Sequence, residues 1–132
     1  MPTCYVTLSE EVPELSEDDL LSVRDIVAEG LNSGARLLDR DHIVLRVQRG
    51  LRAHMLGDLE LEVFCQFFVR RFFSRDRRAQ FISSRVKDLM SFDCATWINM
   101  MVVGYARVDV KGHSYFSDKA SQASPHSNSE PR

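Results

Sequence analysis

Apolar and polar positions along the chain follow two periods, that of a strand and that of a helix, in alternation. Met1-Pro2-Thr3-Cys4-Tyr5-Val6-Thr7-Leu8 reads as a strand starting at Pro2, because Tyr5, Val6 and the threonines favour extended backbone and a proline is tolerated at a strand's first residue. Ser16 followed by Asp19 marks a helix start, and Leu20, Val23, Ile26, Val27 and Leu31 form one apolar stripe, with Asp18, Ser22, Asp25 and Glu29 left for solvent. Asn32-Ser33-Gly34 stops that helix. His42 to Arg49 predicts a second strand, with Ile43, Leu45 and Val47 on one face.

The same order of elements then recurs. Leu59 to Val69 predicts a long strand whose second half is apolar on both sides. Ser74 predicts the cap of a second helix with a buried stripe of Ala79, Ile82, Val86, Leu89 and Met90, and Ala95 to Val103 predicts a fourth strand. Two βαβ units follow, with right-handed crossovers. The expected fold is α/β: one four-stranded sheet with two helices on one face. The other face would expose Phe64, Phe68, Trp97 or Met101, and oligomerisation is the simplest cover for so apolar a patch. Val108 to Phe116 predicts a short hairpin turning at Lys111-Gly112. Serine-rich residues 117–132 lack large apolar side chains and read as a disordered tail behind a domain spanning 1–116.

Composition narrows the classes of function. A net charge of −2 over 132 residues argues against a nucleic-acid footprint across the whole molecule. No apolar run is long enough to span a bilayer and no secretory leader precedes the first strand, so the expectation is a cytoplasmic protein without a membrane partner. Cys4, Cys65 and Cys94 lie far apart in apolar stretches and read as buried free thiols. His42, His54, His113 and His126 have no ligand spacing with one another or with the cysteines, so no metal is expected.

Two features carry candidate chemistry. Removal of Met1, ordinary before a proline, would give Pro2 a free secondary amine; a neighbouring cation or a dry environment would bring its basicity toward neutral pH and suit it to act as a general base. Arg70, Arg71, Arg75, Arg77 and Arg78 fall within nine residues against Asp76 alone. The last three oppose the dipole of the second helix, so an anion held there by guanidinium forks and N–H groups is one reading, solvent-facing arginines another, and RNA a third. Phe72 and Phe73 beside them fit a core better than stacked bases. His113 with Tyr115 is a candidate proton donor to a neighbouring subunit, or interface packing.

The Met-Pro start into a strand, the two βαβ halves and an arginine where the third strand meets the second helix together resemble the tautomerase superfamily. That group includes 4-oxalocrotonate tautomerase, 5-(carboxymethyl)-2-hydroxymuconate isomerase and macrophage migration inhibitory factor. Val63 to Val86, above all Phe72-Phe73-Ser74-Arg75-Asp76, and the ending Gly112-His113-Ser114-Tyr115-Phe116 look most like uncharacterised bacterial members. The resemblance implies a trimer with sites between subunits and a cofactor-independent isomerase acting on a small carboxylate substrate. In it Pro2 is the base, and Arg75, or Arg71 or Arg46 in its place, binds the carboxylate, with His113 nearby. A non-catalytic trimeric binding or signalling module of the same fold, or an anion or RNA binder using Arg70 to Arg78, are the alternatives.

Overall fold

Strand β1 (Thr3–Leu8) runs through the interior of a four-stranded sheet of order β2-β1-β3-β4, in a computed structural model that describes residues 2–32, 37–102, 106–108 and 114–116. Strand β2 (Val44–Arg49) lies parallel to it, with Thr3 opposite Val44 and Leu8 opposite Arg49. On its other side β3 (Leu59–Gln66) is antiparallel, with Thr3 opposite Phe64 and Leu8 opposite Leu59, and β4 (Cys94–Met101) continues the sheet beyond β3. Pro2 lacks the N–H a ladder needs and contributes only its carbonyl, which accepts from Val44 N–H at 3.0 Å.

The sheet divides its side chains by parity. Cys4, Val6 and Leu8 of β1 and Leu59, Leu61, Val63 and Cys65 of β3 are buried on the face that carries the helices. Against them pack Val23, Ile26, Val27 and Leu31 of α1 (Glu17–Leu31) and Ile82 and Val86 of α3 (Arg75–Met90). Ser16 caps α1 as its sequence predicts, its hydroxyl accepting from Asp19 N–H at 3.1 Å, and Glu17, Asp18 and Asp19 occupy the turn where the helix dipole favours acids. On the opposite face Tyr5 meets Phe64 edge to face at 5.7 Å, and Trp97 remains 38% exposed.

Four expectations are corrected. The third strand ends at Gln66 instead of running to Val69, and a short helix α2 (Val69–Phe73) follows, opened by Phe72 N–H bonding Phe68 C=O. The second strand starts at Val44, because Asp39 and His42 cap each other across a single 3₁₀ turn at Arg40–His42. Ser74 occupies the N-cap of α3 without capping it: its hydroxyl donates backward to Arg70 C=O and accepts from Arg78 Nε. The apolar stripe of α3 follows Ile82, Val86 and Met90 at a spacing of four, which leaves Leu89 exposed.

Why the third strand stops where it does is visible in Arg71. Helix α1 has no basic residue in its last turn, and the Asn32 N–H at its end serves Ala28 C=O and Glu29 C=O, so the Gly30 and Leu31 carbonyls and the negative end of the dipole draw their donors from elsewhere. Arg71, only 2% exposed, turns inward from α2 and donates Nε–H to Leu31 C=O at 2.9 Å and another N–H to Gln66 C=O at 3.3 Å. Arg78 reaches from α3 to Gly30 C=O and Asn32 C=O. Continuing the strand would carry Arg71 away from Leu31.

From Met101 onward the chain belongs to a second unit, of which the described strands β5 (Ala106–Val108) and β6 (Ser114–Phe116) pair antiparallel with Arg107 opposite Tyr115. The expected Ser33-Gly34 stop, the Lys111-Gly112 turn and the tail at 117–132 lie outside the described residues. Among the described residues no helix is long and apolar enough to cross a membrane.

Two substitutions test this packing. A Cβ at Gly30 would sit 2.5 Å from Ile82 Cγ1 and 2.8 Å from its Cδ1. Gly30→Ala should therefore destabilise the fold by about 1 kcal/mol in urea unfolding, since an overpacking cost of ~1–3 kcal/mol outweighs the ~1 kcal/mol that alanine ordinarily gains in a helix; an unchanged or higher midpoint would show that the helices shift freely. Arg71→Met, which keeps the apolar stem but removes the donors to Leu31 and Gln66, should cost about 2–3 kcal/mol by the same measurement. A loss below ~0.5 kcal/mol would mean that those carbonyls find other partners.

Candidate functional site

The head of β1 is the place where the sequence expectations meet the fold. Pro2 is buried there, its carbonyl fixed by Val44. One step beyond the Thr3–Phe64 pair, the antiparallel register sets Pro2 against Cys65, the last buried residue of β3. Around Cys65 stand two cations. Burial pushes its thiol above the ordinary range, while the Arg71 guanidinium, which also hydrogen-bonds the sulfur, and then Arg78 pull it back. The strand end is thus dry and locally positive. Desolvation alone dominates Cys4, whose thiol is raised further still, and Cys94 is pushed up to about 11 chiefly by burial.

The candidate arginines are distributed by their helices. Arg71 is the inward one: it spans Leu31, Gln66 and Cys65, and its guanidinium lies 4.8 Å from the centre of the Phe68 ring. Arg75 is exposed at the start of α3. It folds back on α2, stacking over Phe72 at 4.2 Å and donating to Phe72 C=O at 2.7 Å. Arg46 is exposed on the opposite face of the sheet, where the β1–β2 register sets it beside Tyr5. His113 lies outside the described residues. Pro2 and Arg71 are therefore linked through Cys65, whereas neither Arg75 nor Arg46 has a described contact at that strand end.

Sequence reasoning missed two participants. Cys65 was expected only as a buried thiol, and Arg78 only as one of five clustered charges. No local pattern announces either role, because the groups they meet come from β1 and from the end of α1, far away along the chain. The cluster itself is split: Arg71 and Arg78 are turned toward α1 carbonyls, and Arg70, Arg75 and Arg77 are exposed. Among the described residues no three histidine, cysteine or carboxylate side chains gather as metal ligands would.

No protein-family model matches the sequence, and no curated protein matches it. Solved structures do. The macrophage migration inhibitory factor-like protein of Entamoeba histolytica superposes with a TM-score of 0.58 at 9% identity, over 86% of this chain and 98% of that one. A fused 4-oxalocrotonate tautomerase described as a symmetric trimer superposes at 0.54 and 11% identity, over 85% of this chain and 94% of that one. At such identities the likeness is one of backbone course, and with the sheet order and helix placement already described it settles the architecture: the chain has the same fold as these two proteins.

Proposed function

We propose that this protein is a cofactor-independent tautomerase or isomerase acting on a small 2-keto or 2-hydroxy acid, with Pro2 as its base. The observation that carries the reading is the burial of Pro2 at the head of β1, opposite a thiol that the buried Arg71 guanidinium contacts. An amine in dry, positive surroundings holds a proton weakly, so it is free to accept one near neutral pH. Once the residue ahead of Pro2 is removed, its nitrogen takes a proton from the carbon beside the substrate's carbonyl and returns it elsewhere on the resulting enolate. Arg75 holds the carboxylate, its exposed guanidinium leaving Phe72 to do so; Arg46 is the other candidate for that contact. Positive charge at the strand end favours the developing enolate. The structural neighbour described as a symmetric trimer supports a homotrimer, with the face bearing Tyr5, Phe64 and Trp97 as its contact.

One observation favours a second reading, a non-catalytic module of the same fold. Arg71 and Arg78 serve α1 carbonyls and Arg75 is bonded to Phe72, so three of the five clustered arginines already have protein partners.

Kinetics separate the two. With the preceding methionine removed, as an intact mass would establish, the protein should interconvert the keto and enol forms of an enolisable 2-keto acid. Pro2→Ala should slow this by ~100-fold, the scale of general acid–base catalysis, without loss of fold, since Pro2 donates nothing to the ladder. Arg75→Ala should raise KM for carboxylated substrates while leaving stability within about 0.5 kcal/mol, because the side chain is exposed. Equal rates in parent and Pro2→Ala proteins would remove Pro2 as the base, and a processed protein without turnover would leave the binding module in its place.

A further inference from the structure

Helix α2 carries a second surface, which shares only Arg75 with the chemistry proposed at Pro2. With Arg71 turned inward, Val69, Phe72 and Phe73 fall on the outer side at helical spacing, and they are 60%, 36% and 79% exposed. The rings are gathered, Phe67 to Phe72 at 5.4 Å and Phe72 to Phe73 at 5.5 Å, so the apolar surface is continuous. Exposed guanidinium groups of Arg70, Arg75 and Arg77 surround it, with Asp76 as the one acid in the stretch. The acidic residues Glu10, Glu11, Glu14, Glu17 and Asp18 are exposed and Asp19 is half-buried near the N-terminal end of α1, whereas Arg71 and Arg78 tie the arginine-rich segment to its C-terminal end. Charge is therefore segregated along the axis of α1.

We infer that α2 and the first turn of α3 dock on an anionic lipid surface. A bilayer interface presents acyl chain and negative headgroup within one shallow layer, which is what rings rimmed by arginine require. The acidic stretch of a second copy supplies the charge but meets the rings with little besides Pro13 and the half-buried Leu15. The expectation that no membrane is involved rested on the lack of a spanning segment, which does not bear on surface contact. Each basic residue near such a leaflet strengthens binding by about five-fold, and the protruding Phe73 supplies the insertion.

The full chain is tested by flotation with vesicles of phosphatidylcholine alone and of phosphatidylcholine with phosphatidylserine. Binding is expected to the second and not the first, falling at least ~10-fold at high salt. Phe73→Ser and Arg70→Glu should each weaken it by ~10-fold while leaving the circular dichroism unchanged, since both residues are exposed. In a Trp97→Phe background, Phe73→Trp should shift its emission to the blue on adding the anionic vesicles. Equal binding to both vesicles, binding indifferent to Phe73, or no flotation overturns the proposal. So does salt-sensitive self-association that is lost in Phe73→Ser, which would make a second copy the occupant.

Discussion

Two guanidinium groups at the end of α1 hold the helical layer together. A helix of 15 residues with no basic side chain in its last turn leaves carbonyls and a partial negative charge facing the point where β3 leaves the sheet. Arg71 and Arg78 bring donors to that point from two other helices, and in doing so fix where β3 ends, how α2 turns and where α3 begins. Arginine suits the position better than lysine, because its planar fork serves several carbonyls at once and its charge is less costly to dry. Nearby, the absence of a side chain at Gly30 lets α1 approach Ile82 of α3, and Arg78 donates to the Gly30 carbonyl itself.

The same guanidinium links fold and proposed chemistry. Arg71 touches the sulfur of Cys65, and Cys65 is the residue that the register sets against Pro2. A cation that serves helix ends thus contacts the residue paired with the proposed base. Structure and reactivity cannot be separated by removing that side chain, which is why exposed residues are the more informative sites for probing activity. The thiols are dominated by burial and make poor nucleophiles, so they do not compete with the amine in the proposed chemistry.

What could be read from the sequence was whatever neighbouring residues decide. The Ser16 cap, the stripe from Val23 to Leu31 and the β-favouring residues of β1 are local signals, and the fold follows them. The run from Phe67 to Phe73 is not local. Its apolar residues suit a strand as well as a helix, and the choice is made by Leu31 C=O, 40 residues earlier in the chain. Arg71 was legible as a charge but not as a buried one, since nothing beside it in sequence pairs with it. Pro2 was legible in position, while its surroundings come wholly from distant segments: Val44 on one side and Cys65 on the other.

Strand β1 precedes both of its partners in the chain and gains the second only with β3. Its two partners follow about forty and about sixty residues later, and no hairpin or neighbouring turn can hold it in the interval. During synthesis the head of the strand is therefore open until β3 has been made, and closed afterwards. The proposed chemistry requires removal of the residue ahead of Pro2, and the strand head is open to that removal in this interval. The supply of free amine would then be set by a race between processing and folding, so that protein refolded from the untrimmed chain and protein made in the cell could share one fold and differ in reactivity.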